Sequence, residues 1–113
     1  MPKPIHIKSR SIFVREALKM GKKEFLSWFN LITKFHKQYS MKDYTNNNIP
    51  KLYIMGINDS RFLKMIKYYV SIDKNAILVV LNKAGHICNI DNYKDFNIEI
   101  DNFFKSQLMF KAI

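Results

Sequence analysis

Two short, continuous apolar runs constrain the fold of this sequence more than any other feature. The first covers residues 52–55 and ends at Gly56, and the second covers residues 76–81, before a turn-like stretch at 82–85. Continuous apolar runs of this length are typical of strands that are buried on both faces of a parallel sheet. Between them, residues 61–72 have apolar side chains at helical spacing. The order strand, helix, strand predicts a βαβ unit with parallel strands, and therefore an α/β fold.

Helices are predicted on both sides of this unit. A terminal helix covers about residues 93–108, where apolar side chains again recur at helical spacing. Two helices precede the strands: one begins near Ser11 and stops at Gly21, and the next covers residues 22–39. The second of these has one broad apolar stripe, which we expect to pack in a core rather than to face a membrane.

A polar stretch separates the N-terminal helices from the strands. Residues 45–48 read Thr-Asn-Asn-Asn, and Pro50 excludes a helix across this junction. The sequence therefore predicts a helical segment, residues 1–44, followed by a part with strand, helix, strand and helix, residues 45–113.

Two polar residues follow the predicted strands at the points where those strands end. Asp59 follows the first strand in Gly-Ile-Asn-Asp, and His86 follows the second in Ala-Gly-His. Because neighbouring parallel strands end at the same sheet edge, we expect the carboxylate and the imidazole to lie side by side. Such a pair can form the orienting half of a Ser-His-Asp triad. Two plainer interpretations remain open: Asp59 as an N-cap of the next helix, and His86 as an ordinary loop histidine.

Other chemistry-bearing residues have weaker settings. His6 and His36 fall in the helical N-terminal part, with no predicted strand end beside them. Cys88 follows His86 by two residues, but its apolar neighbours predict a buried thiol rather than a nucleophile. No two His, Cys or acidic residues show a recognised ligand spacing, so neither a metal nor another cofactor is expected.

The composition ranks some partners and compartments above others. The formal net charge is +10, but 16 of the 19 cations are Lys, which favours a coding bias over a phosphate-reading surface rich in Arg. No apolar run approaches the roughly 20 residues that span a bilayer, and residues 1–8 do not resemble a signal peptide. The single cysteine cannot form an internal disulfide. We therefore expect a cytoplasmic protein without a membrane partner, and we rank nucleic-acid binding low.

The strand-end sequences resemble those of α/β-hydrolases. Residues 50–59, Pro-Lys-Leu-Tyr-Ile-Met-Gly-Ile-Asn-Asp, are similar to the penultimate strand of that family, which reads apolar strand, Gly, two residues, Asp. Residues 84–90, Ala-Gly-His-Ile-Cys-Asn-Ile, resemble the Gly-His turn after its last strand, and residues 5–43 resemble its last cap helices. The resemblance implies an incomplete α/β-hydrolase fold, with Asp59 as the triad acid and His86 as the general base.

The nucleophile motif of that family is absent from the sequence. The elbow G-x-S-x-G needs glycine on both sides of the serine, and Gly21, Gly56 and Gly85 flank no serine at that spacing. In the family the nucleophile precedes the acid and the base, so we expect it upstream of Met1, together with the oxyanion hole. The resemblance thus implies a C-terminal fragment, or half of a split hydrolase, that is inactive alone.

Partners and alternative functions follow from the same features. The expected partner is the missing N-terminal half, or a second copy of the chain that pairs at an exposed strand edge. One alternative is a non-catalytic interaction protein that uses this edge and the apolar helices as partner surfaces. A second alternative, ranked lower, is a basic nucleic-acid-binding module that uses the Lys-rich residues 1–43.

Overall fold

The computed structural model describes residues 6–38 and 47–111. In these ranges the elements are, in order, α1 (Ile7–Lys19), α2 (Lys22–Gln38), β1 (Lys51–Gly56), α3 (Ser60–Ile72), β2 (Ala76–Leu81), α4 (Cys88–Asp91) and α5 (Tyr93–Lys111). Each predicted helix and strand is present, and the four-residue α4 is an addition that periodicity did not indicate. The predicted division of the chain between residues 44 and 45 lies outside the described residues.

The two strands form a parallel pair. Their register joins Lys51 to Ala76 at one end and Gly56 to Leu81 at the other. Because α3 connects the strands, the predicted α/β class with a βαβ unit is confirmed. The register aligns the last residues of both strands, so the loops that follow them leave the sheet at the same edge.

The buried core lies beneath this edge. Its central cluster joins the end of β2, the following loop and α4, and consists of Leu81, Ala84 and Cys88, with Ile54, Val79 and Phe96 packed against it. On α3, the helical spacing places Leu63 and Ile66 on one side of the helix, and both side chains are buried. The best-packed part of the molecule therefore supports the loops that emerge from the two strands.

The expectation that both strands are buried on both faces is wrong. Residues 51–55 are only partly buried, and in β2 the side chains of Ile77 and Val80 are 50% and 37% exposed. The physical reason is the size of the sheet. In the described ranges each strand has a neighbour along one edge only, so neither strand is enclosed.

The apolar stripe of α2 does not pack in a core, contrary to expectation. Every side chain from Lys22 to Phe35 is exposed, because no element in the described ranges covers that helix. No helix in the same ranges combines the length and the apolarity needed to cross a membrane.

An ion pair closes the other end of the sheet. The Lys51 ammonium lies 3.0 Å from Asp73 Oδ2, and the Asp73 side chain is almost fully buried. The second carboxylate oxygen accepts the backbone N–H of Asn75 at 3.0 Å. The hydrogen bond from Lys51, followed by that from Asn75, lowers the pKa of Asp73 below its ordinary value of 3.8.

Acid should weaken the fold through this ion pair. A folded-state pKa below the unfolded value gives stability that is present above pH 3.8 and is lost as the pH falls through the folded pKa. Lys51→Met is therefore expected to lower Tm by several degrees at neutral pH, and by progressively less as the pH falls below 3.8. Lys74→Met, at an exposed lysine of the next turn, is the matched control. Equal Tm losses for both variants at neutral pH would contradict the assignment.

Candidate active site

Backbone hydrogen bonds fix the loop that follows β1 against the end of β2. The N–H groups of Ile57 and Asn58 donate to the carbonyl oxygens of Leu81 and Ala84, each at 2.9 Å. The N–H of Asp59 turns back to the Gly56 carbonyl at 3.0 Å. These bonds continue the strand pairing into the loops, so the carboxylate of Asp59 is held at the sheet edge by both strands.

Gly56 permits the close approach of the two loops. A Cβ at this position would lie 2.5 Å from the carbonyl carbon of Ala84, and closer still to the carbonyl oxygens of Ala84 and Gly85. Real Cβ atoms do not show such contacts, and the obstructing atoms are backbone, which cannot rotate away. A side chain here would force the acid loop and the histidine loop apart.

Asp59 and His86 meet at this edge, as the sequence predicted. Asp59 Oδ2 lies 2.8 Å from His86 Nδ1. A carboxylate only accepts hydrogen bonds, so Nδ1–H donates, and in the neutral imidazole the lone pair then lies on Nε2. The Asp59 side chain is 10% exposed and that of His86 is 56% exposed. The carboxylate is thus held inside the site, and the imidazole is presented to the outside.

The plainer interpretation of Asp59 as a helix cap is wrong. Asp59 occupies the N-cap position of α3, but its side chain makes no capping hydrogen bond. Its carboxylate turns to the imidazole instead. A capping bond to the first turn of α3 would stabilise the fold by about 1 kcal/mol. Asp59 does not make this bond, and its carboxylate contacts His86.

The imidazole of His86 forms part of the wall of a small apolar cavity. This cavity has a volume of about 210 Å³ and is lined by Ile54, Met55, Gly56, Asp59, Phe62, Ile66 and His86. The Phe62 ring lies 5.0 Å from the His86 ring, between centroids, at an interplanar angle of 37°. The phenyl ring and the carboxylate together fix the orientation of the imidazole. Within residues 6–38 and 47–111, Nε2 has no hydrogen-bond partner.

His6, for which no site was predicted, also lies at this edge. Its Nε2 is 3.1 Å from Asn58 Oδ1, and because an amide oxygen accepts, the His6 N–H donates. A Cβ on Gly85 would lie 3.1 Å from the same His6 ring. The start of α1 therefore contacts both loops of the site. Only the docking of α1 reveals this, since no spacing in the sequence relates residue 6 to residue 58.

Asp91 is a second residue that sequence reasoning missed. Its Oδ2 accepts the backbone N–H of Gly85 at 2.8 Å, which braces the loop immediately before His86. Its Oδ1 is buried, and among the described residues it has no hydrogen-bond partner. The sequence held one indication of this role. Asp91 follows a mostly apolar stretch after His86, and an aspartate among apolar residues needs a hydrogen-bond donor when it is buried.

Cys88 is buried, as predicted, and is unsuited to act as a nucleophile. Its Sγ donates a weak hydrogen bond to the Ile54 carbonyl at 3.5 Å. Burial raises the pKa of its thiol above the ordinary value of 9.0, which disfavours the reactive thiolate.

Among the described residues, no group of three His, Cys, Asp or Glu side chains could hold a metal ion. The other histidine of the N-terminal part, His36, lies in α2, in the helical region predicted for it.

Comparisons with known proteins return nothing that resembles this chain. No protein-family model, no curated protein and no solved structure matches it. What the site can do is therefore inferred from its geometry: an imidazole that is oriented by a carboxylate, open at Nε2 and placed beside an apolar cavity can accept and return a proton.

Proposed function

We propose that this chain supplies the acid and the general base of a Ser-His-Asp hydrolase of the α/β-hydrolase type. One observation supports this above all others: Asp59 and His86 form a 2.8 Å pair at the ends of two adjacent parallel strands. The chemistry is hydrolysis of an ester, amide or other acyl bond through an acyl-enzyme. Asp59 positions the imidazole and stabilises its cation, and His86 carries the proton.

The proton has a complete path in this chemistry. Nε2 of His86 takes the proton of the serine hydroxyl as Oγ attacks the acyl carbon, and returns it to the leaving alcohol or amine. In the second half, Nε2 takes a proton from water as the hydroxyl attacks the acyl-enzyme, and returns that proton to the serine oxygen. Asp59 stays ionised throughout and holds Nδ1–H.

The nucleophile belongs to a segment other than this sequence. No serine here lies in G-x-S-x-G, and Cys88 is a buried thiol. The cavity of about 210 Å³ is smaller than the roughly 300–1,000 Å³ of usual ligand pockets, as we expect if a further segment completes the site. We place the missing segment at the free edge of β1, where it would add a parallel strand.

The test is to join this chain to the segment that supplies the serine. The DNA directly upstream of codon 1 is translated in all three forward frames, and any segment with buried-strand patterns and G-x-S-x-G is fused to the chain. The fusion is then treated with a fluorophosphonate, which labels activated serines. Labelling of that serine, lost in His86→Ala, supports the proposal. Absence of such a segment, or labelling that His86→Ala leaves unchanged, overturns it.

A second candidate function is that of an interaction protein without chemistry. The exposed apolar side chains of β2, with Ile77 50% exposed, and the free edges of a two-stranded sheet favour it. Stoichiometric capture of a partner whose binding is lost after a substitution at the free edge of β1 such as Leu52→Pro, in a chain that shows no serine labelling, would support this candidate over the hydrolase.

A further inference from the structure

Helix α2 has two chemically different sides. At 100° per residue, Phe25, Trp28, Phe29 and Ile32 fall within an arc of about 100°. Lys23 and Lys34 lie on the opposite side of the helix. The first side is aromatic and aliphatic, and the second is cationic.

The apolar side of α2 is open to solvent. Phe25, Trp28, Phe29 and Ile32 are 44–53% exposed, although side chains of this kind are normally buried. Phe25 and Phe29 stack on each other at 6.4 Å between ring centroids, which forms a continuous aromatic ridge. An exposed apolar ridge on one helix is typical of a surface that another phase or molecule covers.

Charge indicates what covers this ridge. Residues 6–38 contain eight Lys or Arg and two Glu, so the two N-terminal helices are strongly cationic. On α2 the acidic residue is Glu24, which lies in the first turn, where the helix dipole favours a negative charge. Lys22 lies at the border of the aromatic side, close to Phe29 along the wheel. A partner that is apolar inside and anionic at its surface complements this distribution.

Helix α1 repeats the same chemistry. A shallow groove of about 630 Å³ on it is lined by Ile7, Arg10, Ser11, Val14, Arg15 and Leu18. Ile7 and Leu18 are 87% and 82% exposed. Arg15 pairs with Glu16, and Arg10 forms part of the rim of the groove. Two successive helices thus combine exposed apolar residues with arginine or lysine.

We propose that the aromatic side of α2 lies in the interface of an anionic phospholipid membrane. In this arrangement the ridge of Phe25, Trp28, Phe29 and Ile32 enters the boundary between headgroups and acyl chains. Lys22, Lys23 and Lys34 stay among the headgroups, where the negative surface attracts them. The sequence favoured core packing and no membrane partner, and the exposure of the side chains of residues 22–35 reverses that preference. The proposal is independent of the hydrolase chemistry.

A bilayer fits the described surface better than nucleic acid does. A nucleic-acid duplex would contact the lysine side of α2 and leave the aromatic ridge in water. A bilayer would bury that ridge, and in the same orientation of the helix its headgroups would attract the lysines. The single Trp of the sequence stands on the ridge and reports directly on its surroundings.

The experiment follows Trp28 emission in the full chain as vesicles are added. With vesicles of phosphatidylglycerol and phosphatidylcholine in equal parts, we expect a blue shift and quenching by brominated acyl chains. With pure phosphatidylcholine vesicles, or at salt of about 1 M, the shift should be small because the attraction is absent or screened. Phe29→Ser with Ile32→Ser should weaken partitioning at least about tenfold, since two apolar side chains leave the interface.

Matched variants separate the contributions. Leu26→Ser removes an exposed leucine that lies outside the ridge, and should change partitioning by less than about twofold. Lys23→Gln with Lys34→Gln should weaken binding to the anionic vesicles about tenfold. Because all these side chains are exposed, circular dichroism should show an unchanged fold.

Three outcomes would overturn the proposal. A blue shift that grows with protein concentration in the absence of vesicles would assign the ridge to a second copy of the chain. Binding to RNA that the Phe29 and Ile32 substitutions leave unchanged, without vesicle binding, would assign the lysine side to nucleic acid. Equal loss of partitioning in Leu26→Ser and in the Phe29 and Ile32 double variant would show that the ridge is not the contact.

Discussion

Asp59→Asn is expected to lower kcat about 10⁴-fold in the proposed enzyme, in which a further segment supplies the serine, as for the equivalent change in serine proteases. The carboxylate accepts Nδ1–H of His86 at 2.8 Å, which leaves Nε2 free to take the serine proton. An amide at the same position can donate to Nδ1 and so favours the tautomer that carries its proton on Nε2. The imidazole would then face the serine with a proton where it needs a lone pair.

The measurement is kcat for a short-chain ester, with a second aspartate as control. Asp101 is exposed and pairs with Lys105 on α5, so Asp101→Asn should leave kcat unchanged. His86→Ala should cost at least as much as Asp59→Asn, and the two together no more than His86→Ala alone, because the residues act as a unit. Additive losses would mean that Asp59 acts independently of the histidine.

Gly56→Ala is expected to destabilise the fold by about 3 kcal/mol, at the upper end of overpacking costs. The new Cβ would overlap backbone atoms of Ala84 and Gly85, and these atoms lie between the end of β2 and His86. Relief of the overlap requires the loops to separate, which would break the bond from Asn58 N–H to the Ala84 carbonyl. A loss of this size lowers Tm by roughly 10–20 °C in a domain of this size.

Gly21→Ala is the matched control for this substitution. A Cβ at Gly21 meets nothing within 4 Å, and alanine should be neutral or slightly stabilising in the connection between α1 and α2. Thermal unfolding of both variants, followed by circular dichroism, compares them directly. A Gly56→Ala variant that melts with the parent chain would show that the close approach of the two loops is not a constraint.

The strands and their order were predictable because the apolar runs, the turn residues that end them and the helix between them all indicate the same βαβ unit. The runs at 52–55 and 76–81 are apolar and end at turn residues, and the observed strands are Lys51–Gly56 and Ala76–Leu81. The same agreement explains the site. Parallel pairing forces both strands to end together, so Asp59 and His86 needed no information beyond strand order to be placed side by side.

Burial was less predictable than secondary structure. Helical periodicity states which side chains share a face, but not whether a neighbouring element covers that face. For α3 the sheet covers it and Leu63 is buried, whereas for α2 the described chain offers no cover and Phe29 is 52% exposed. The pattern in the sequence is equally strong in both helices, so the difference comes from tertiary arrangement alone.

The supporting residues of the site could not be found from sequence for a related reason. His6 reaches Asn58 because α1 docks against the strand ends, a contact across 52 positions of the chain. Asp91 reaches the Gly85 N–H because the short helix α4 returns toward the loop. Neither contact leaves a periodic trace, and both depend on how elements pack after they form.

The tautomer of His86 tests the central claim, that Asp59 prepares this histidine to act as a base, most directly. Long-range ¹⁵N–¹H NMR correlations of the isolated chain at neutral to mildly alkaline pH distinguish Nδ1–H from Nε2–H. We predict Nδ1–H for His86, lost in Asp59→Asn, and Nε2–H for His6, which donates from that atom to Asn58 and serves as an internal reference. An Nε2–H tautomer for His86, or one that Asp59→Asn leaves unchanged, would contradict the claim.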